Sequence, residues 1–101
     1  PELYHLECDY THIIEVNHLV NLNKLYCVRT KIVDVNGLIN LTLLYCNNTN
    51  ISDISNLMNL TRLYCKDTLI SDINNNKKLT RLDYYNSKII ITNELINKFS
   101  P

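Results

Sequence analysis

The chain has 101 residues, the size of one small domain. Ten Lys and Arg balance ten Asp and Glu, which excludes the overall basic field that draws a protein to nucleic acid or an anionic membrane. No apolar run reaches the ~20 residues of a membrane-spanning helix.

From Leu3 onward every nineteenth residue recurs. Leu3, Leu22, Leu41, Leu60 and Leu79 form one column, and Leu6, Leu25, Leu44, Leu63 and Leu82 a second. Cys8, Cys27, Cys46 and Cys65 form a third, and Thr11, Thr30, Thr49 and Thr68 a fourth. A fixed short period means stacked coils, because one such coil buries too little apolar surface to offset the ordering of its backbone.

The coils follow in chain order. In the first, Glu15 stands where later coils carry Asp, and Tyr10 and His12 crowd the corner. The second starts at Leu22. The third, LTLLYCNNTNISDISNLMN from Leu41, is the clearest copy. Its L-x-C alternation predicts a short strand with Leu44 and Cys46 inward and Tyr45 outward. Thr49 and Ile51 then turn the chain at a corner, and I-x-D-I-x-x-L suits an extended or 3₁₀ return segment. In the fourth, Asn76 replaces the Leu of Leu19, Leu38 and Leu57, and the run 74–78 predicts a polar, mobile outer edge. In the fifth, Tyr84, Ser87 and Ile91 take the Cys, Thr and acid places. Residues 92–99 predict a short helix capped by Thr92, with Leu95, Ile96 and Phe99 against the last coil. Residues 89–99 then form the lid that an open solenoid end needs. Parallel strands are expected at 6–8, 25–27, 44–46, 63–65 and 82–84. The abundant Asn mostly falls in phase with the repeat, which argues for ordered coil positions over a low-complexity tract.

Leu41, Leu44, Cys46, Thr49 and Ile51 fill in order the places of the signature L-x-x-L-x-L-x-x-N/C-x-L. The chain thus resembles the leucine-rich repeat family. The stretch ISDISNL from Ile51 is similar to the return half of short bacterial and SDS22-like repeats, and C-x-x-T is similar to repeats of large DNA viruses. The resemblance covers nearly the whole chain and implies an α/β-type solenoid. Its parallel sheet would lie on the concave face, with short extended or 3₁₀ convex segments and little true helix. Three departures stand out: a period below the usual ~20–29 residues, Cys for the third Leu, and Thr for the Asn that forms a ladder. A parallel β-helix is the alternative, but the Gly and Asn corner pattern of a three-strand coil is missing. We expect one solenoid over residues 1–101, about five coils, cut from a longer protein.

The Cys column predicts neither disulfides nor zinc. Equivalent residues on adjacent parallel strands lie about 4.8 Å apart, beyond the ~3.5–4.5 Å Cβ separation of a disulfide. Four such residues span roughly 14 Å, which a tetrahedral zinc with ~2.3 Å bonds cannot gather. They are expected to be buried, reduced thiols filling the core, and reduced Cys favours an intracellular, reducing compartment, with secretion left open. Inward Thr hydroxyls are expected to bond backbone groups of the next coil; an outward ice-binding array would need T-x-T, and Ile stands at the second place. Glu15, Asp34, Asp53 and Asp72 repel one another, so each is expected to cap following amides in preference to holding calcium. The sequons at Asn40, Asn47, Asn50 and Asn59 follow from the repeat letters themselves.

No catalytic constellation emerges and no cofactor is implied. His5, His12 and His18 occupy different coil positions, and Gly37, the only Gly, precludes a phosphate loop. What remains is the outward face of the sheet. It carries Lys24, Leu43, Arg62 and Arg81 in one column, Tyr26, Tyr45 and Tyr64 in the next, then Lys66 and Tyr85. Tyr and Arg are the residues most often found at interface hot spots. The expected function is therefore non-catalytic protein binding through these nine residues. The alternatives are a spacer in a longer solenoid and, less favoured by the neutral charge, a single-stranded nucleic-acid binder.

Overall fold

The computed structural model describes residues 3–99; of the domain expected over 1–101, positions 1–2 and 100–101 lie outside the described residues. Five strands, β1 (His5–Glu7), β2 (Lys24–Tyr26), β3 (Leu43–Tyr45), β4 (Arg62–Tyr64) and β5 (Arg81–Asp83), form one sheet in chain order. Every neighbouring pair is parallel, with Leu6, Leu25, Leu44, Leu63 and Leu82 in register. About four turns of chain join them, and one helix, α1 (Asn93–Phe99), follows β5. This is the parallel-strand solenoid with little helix that the repeat predicts.

Each strand begins and ends one residue earlier than expected, because Cys already belongs to the corner. The Thr30 amide donates to the Cys27 carbonyl at 3.3 Å. The residue before each corner Thr or Ser has a left-handed backbone, φ 55–61° at Tyr10, Arg29, Asn48, Asp67 and Asn86. Asn and Asp tolerate that region far better than Tyr or Arg.

The corner also corrects the role of Thr. Each hydroxyl donates within its own coil, to the carbonyl of the Cys three residues back: Thr11 at 2.6 Å, and Thr30, Thr49 and Thr68 at 2.8 Å. The tight turn places that acceptor nearest, while backbone bonds already join the coils, as from the Cys27 amide to the Tyr45 carbonyl.

The acidic column caps the return half as expected. Glu15 accepts the Asn17 amide at 2.6 Å, Asp34 that of Asn36 at 3.0 Å, Asp53 that of Ser55 at 2.9 Å and Asp72 that of Asn74 at 2.8 Å. The Ser55 amide, then the Ser55 hydroxyl and Asn36, hold the Asp53 carboxyl below its ordinary range. A carboxyl lowered on folding stabilises the fold above its unfolded pKa, and that contribution is lost as pH falls through the folded one. The chain then makes two isolated turns instead of a 3₁₀ helix, closed by the Leu38 amide on Val35 and the Leu41 amide on Leu38.

Asn side chains stitch the outer edge. Asn17 accepts the Gly37 amide at 2.9 Å, and Asn40 and Asn59 donate to the carbonyls of Val20 and Ile39 in the coil before. A Cβ on Gly37 would meet the Asn17 side chain at 3.0 Å, a tight contact that Asn17 would relieve by shifting slightly; one coil on, the Asn56 amide makes the same bond to Asn36 at 3.2 Å with a side chain in place.

The Leu and Ile columns of coils two and three are sealed from solvent, and in coil four only Ile73 is half-buried. In the run 74–78, expected to be polar and mobile, Asn76 instead turns inward and is 2% exposed. Its Nδ2 donates to the Ile54 and Leu57 carbonyls at 3.0 Å each, while its buried Oδ1 has no partner among the described residues. After β5, Thr92 accepts the Leu95 amide at 3.1 Å, and Leu95 and Phe99 pack on the core. Ile96, expected on the same face, is exposed: one helical step beyond Leu95 swings it about 100° away.

All four Cys are free and buried. Burial, followed by the neighbouring Cys8 and Asp9, pushes the Cys27 thiol up to about 12; burial does the same at Cys65, and raises Cys46 well above its ordinary value. The thiolate is the reactive species, so burial alone protects these groups, and the argument for a reducing compartment loses its footing. Labelling by a thiol-reactive dye is expected to require denaturant. Rapid labelling of all four in native buffer would contradict the packing of this column.

Candidate functional site

Strand alternation aims the Leu of each triplet inward and its two neighbours outward. Tyr26, Tyr45 and Tyr64 therefore meet in register on the outer face of the sheet. Their rings stack: Tyr26 and Tyr45 have centroids 5.7 Å apart at 22°, and Tyr45 and Tyr64 4.4 Å apart at 18°. Near-parallel rings at these separations stack with an offset, and their outer edges and hydroxyls are left for other contacts.

The stack is longer than the three Tyr. His5 stacks on Tyr26 at 5.4 Å, and the Arg81 guanidinium lies 5.8 Å from the Tyr64 ring centre. Both contacts are diagonal, from the first residue of one strand to the third residue of the adjacent one, a reach open to long and aromatic side chains. Reading straight columns missed His5; the diagonal rule is the signal that finds it. Each end is tied to an acid, His5 to Glu7 at 3.0 Å and Arg81 to Asp83 at 3.3 Å.

The remaining expected residues divide. Lys24, Arg62, Lys66 and Tyr85 are exposed, Tyr85 at 76%. Leu43 is not: it is 2% exposed, although its register neighbours are Lys24 and Arg62. Long basic side chains cover adjacent apolar groups with their stems, so Leu43 acts as filler between them. Arg29 and Tyr10, both in left-handed corners, make a further contact, guanidinium to ring centre 5.8 Å. A shallow cleft of about 540 Å³ runs beside the stack, lined by Tyr26, Tyr45, Asn47 and Lys66 among others.

No family model matches the sequence, and no curated protein resembles it significantly. Solved structures do. Internalin C2 from Listeria monocytogenes superposes with a TM-score of 0.77 and 28% identity over 94% of this chain and 47% of its own. An internalin, InlF, from the same organism gives 0.66 and 24% over 85% of this chain and 35% of its own. The functional domain of InlJ from Listeria monocytogenes, which includes a cysteine ladder, gives 0.67 and 21% over 91% of this chain and 27% of its own. The chain thus spans less than half the length of each. With five parallel strands in one register and these neighbours, the fold is that of a leucine-rich repeat solenoid.

Proposed function

We propose that this chain is a non-catalytic protein-interaction module that binds through the outer face of its sheet. The observation that carries this reading is the half-buried, outward-facing aromatic stack of Tyr26, Tyr45 and Tyr64, ended by His5 and Arg81. Such side chains offer large contact area at low entropic cost. The likeness to internalin C2 supports a repeat scaffold for recognition; by itself it names no partner. No helix among the described residues is long and apolar enough to cross a membrane.

A spacer role is the second reading, favoured by the stack itself, since aromatic pairs contribute about 0.5–1.5 kcal/mol each to the scaffold. Partner capture from the native host separates the two. Wild type is expected to retain a partner that a Tyr26/Tyr45/Tyr64 triple Ala variant loses, and Tyr45→Ala alone is expected to weaken a purified complex by about 2 kcal/mol or more. Equal capture by both folded proteins would leave the spacer reading ahead.

A further inference from the structure

The neutral total charge hides an uneven face. Its acids are already engaged within it. Glu7 pairs with His5 and Asp83 with Arg81. Asp9 accepts the Val28 amide at 2.7 Å, and Asp67 accepts the Asn86 side-chain amide at 2.6 Å. The central cations are not so held: Lys24, Arg62 and Lys66 are exposed and form no ion pair among the described residues. Arg62 and Lys66 flank Tyr64 in one coil, Arg62 opening β4 and Lys66 standing in the turn that follows it. Lys24 lies two coils away, about 10 Å along the stack.

We infer that the sheet face recognises a short acidic protein segment, whose carboxylates meet Lys24, Arg62 and Lys66 while its backbone and side chains lie over the Tyr edges. This rests on the sheet face being the binding surface. Charge complementarity identifies the occupant: the side chains left without partners are cationic, and guanidinium groups take carboxylates through paired hydrogen bonds. The geometry also limits its length. Glu7 and Asp9 stand in the first coil and Asp83 in the last, with Asp67 directly after Lys66, so a polyanion longer than the central coils runs into negative charge. A nucleic-acid strand, which gains affinity from many phosphate contacts, fits that boundary poorly.

The test is fluorescence anisotropy with labelled twelve-residue peptides alternating Ser with Glu, Gln or Lys, alongside a twelve-nucleotide oligothymidylate. Wild type is expected to bind the Glu peptide at least ten-fold more tightly than the Gln or Lys peptides, and less tightly at higher salt. The double variant Arg62→Glu/Lys66→Glu, with unchanged circular dichroism and melting temperature, is expected to lose at least ten-fold. Lys31→Glu, an exposed charge past the Thr30 corner, is expected to stay within two-fold of wild type. Three results would overturn the inference: Glu and Gln peptides bound alike or not at all, equal losses in the Lys31 and Arg62/Lys66 variants, or tighter binding of oligothymidylate. Failure of the acidic-partner inference leaves the Tyr-dependent capture of a host partner as an independent result. Conversely, binding that needs Arg62 and Lys66 but survives the triple Tyr substitution would keep the charge inference and remove the Tyr stack from the site.

Discussion

Leu44→Ala is expected to cost about 3–5 kcal/mol, while the same change at Leu6, in the same column, is expected to cost roughly half as much or less. Leu44 is sealed from solvent between the coils of Leu25 and Leu63, whereas Leu6 is half-buried in the first coil. Truncation at the centre leaves a cavity that two neighbouring coils must line, and the surroundings relax only partly. At the end, water reaches part of the vacated space. Stability rests on nearest-neighbour interfaces in such arrays, so the central change also uncouples two halves. Urea denaturation of both variants checks this. Equal losses would mean that the columns do not stack as described.

Asn76→Leu is expected to raise stability by about 1–3 kcal/mol. The buried Oδ1 has no hydrogen-bond partner among the described residues, and a buried polar atom left unpaired costs about that much. The substitution also removes two donors, but their acceptors stay satisfied: the Ile54 carbonyl already takes the Leu57 amide, and the Leu57 carbonyl the Leu60 amide. Leu would continue the column of Leu38 and Leu57, which are fully buried. A neighbouring cleft of about 510 Å³, shared with Ile89, Leu95 and Phe99, gives its extra bulk room. Thermal and urea unfolding measure the change. A loss of stability would show that a buried water serves Oδ1 and that the site is built for a polar group.

The sequence made the columns legible because five in-phase copies average out local noise. The inward Leu and Cys, the strand order and the stacking of Tyr26, Tyr45 and Tyr64 all follow from period two inside period nineteen. What it hid is set by backbone dihedrals and by diagonals. The left-handed residue before each corner Thr or Ser carries no single letter across the five coils: it is Tyr, Arg, Asn, Asp and Asn in turn. The corner's bond pattern, and with it the acceptor for Thr, was therefore invisible. The Asn17 and Asn40 bonds between coils were equally hidden, since a polar letter at an outer edge reads as mere solvation. Leu43 read as a face residue because alternation reports direction and says nothing of the basic neighbours that shield it. At Asn76 a polar letter in an apolar column suggested exposure, but the continuous backbone on either side keeps the position inside.

The common register of all four strand pairings has a consequence for how such a chain changes length. Since Leu6, Leu25, Leu44, Leu63 and Leu82 align in a single file, a duplication or excision of nineteen residues within the interior leaves every surviving side chain facing its former direction. A gain or loss of eighteen or twenty would turn Tyr inward and Leu outward along the next strand, because side-chain direction alternates at every residue. Recombination between copies therefore has one permitted step size. Within it, the number of rungs carrying Tyr, and so the length of the outward-facing aromatic file, is free to vary without redesign of the scaffold beneath.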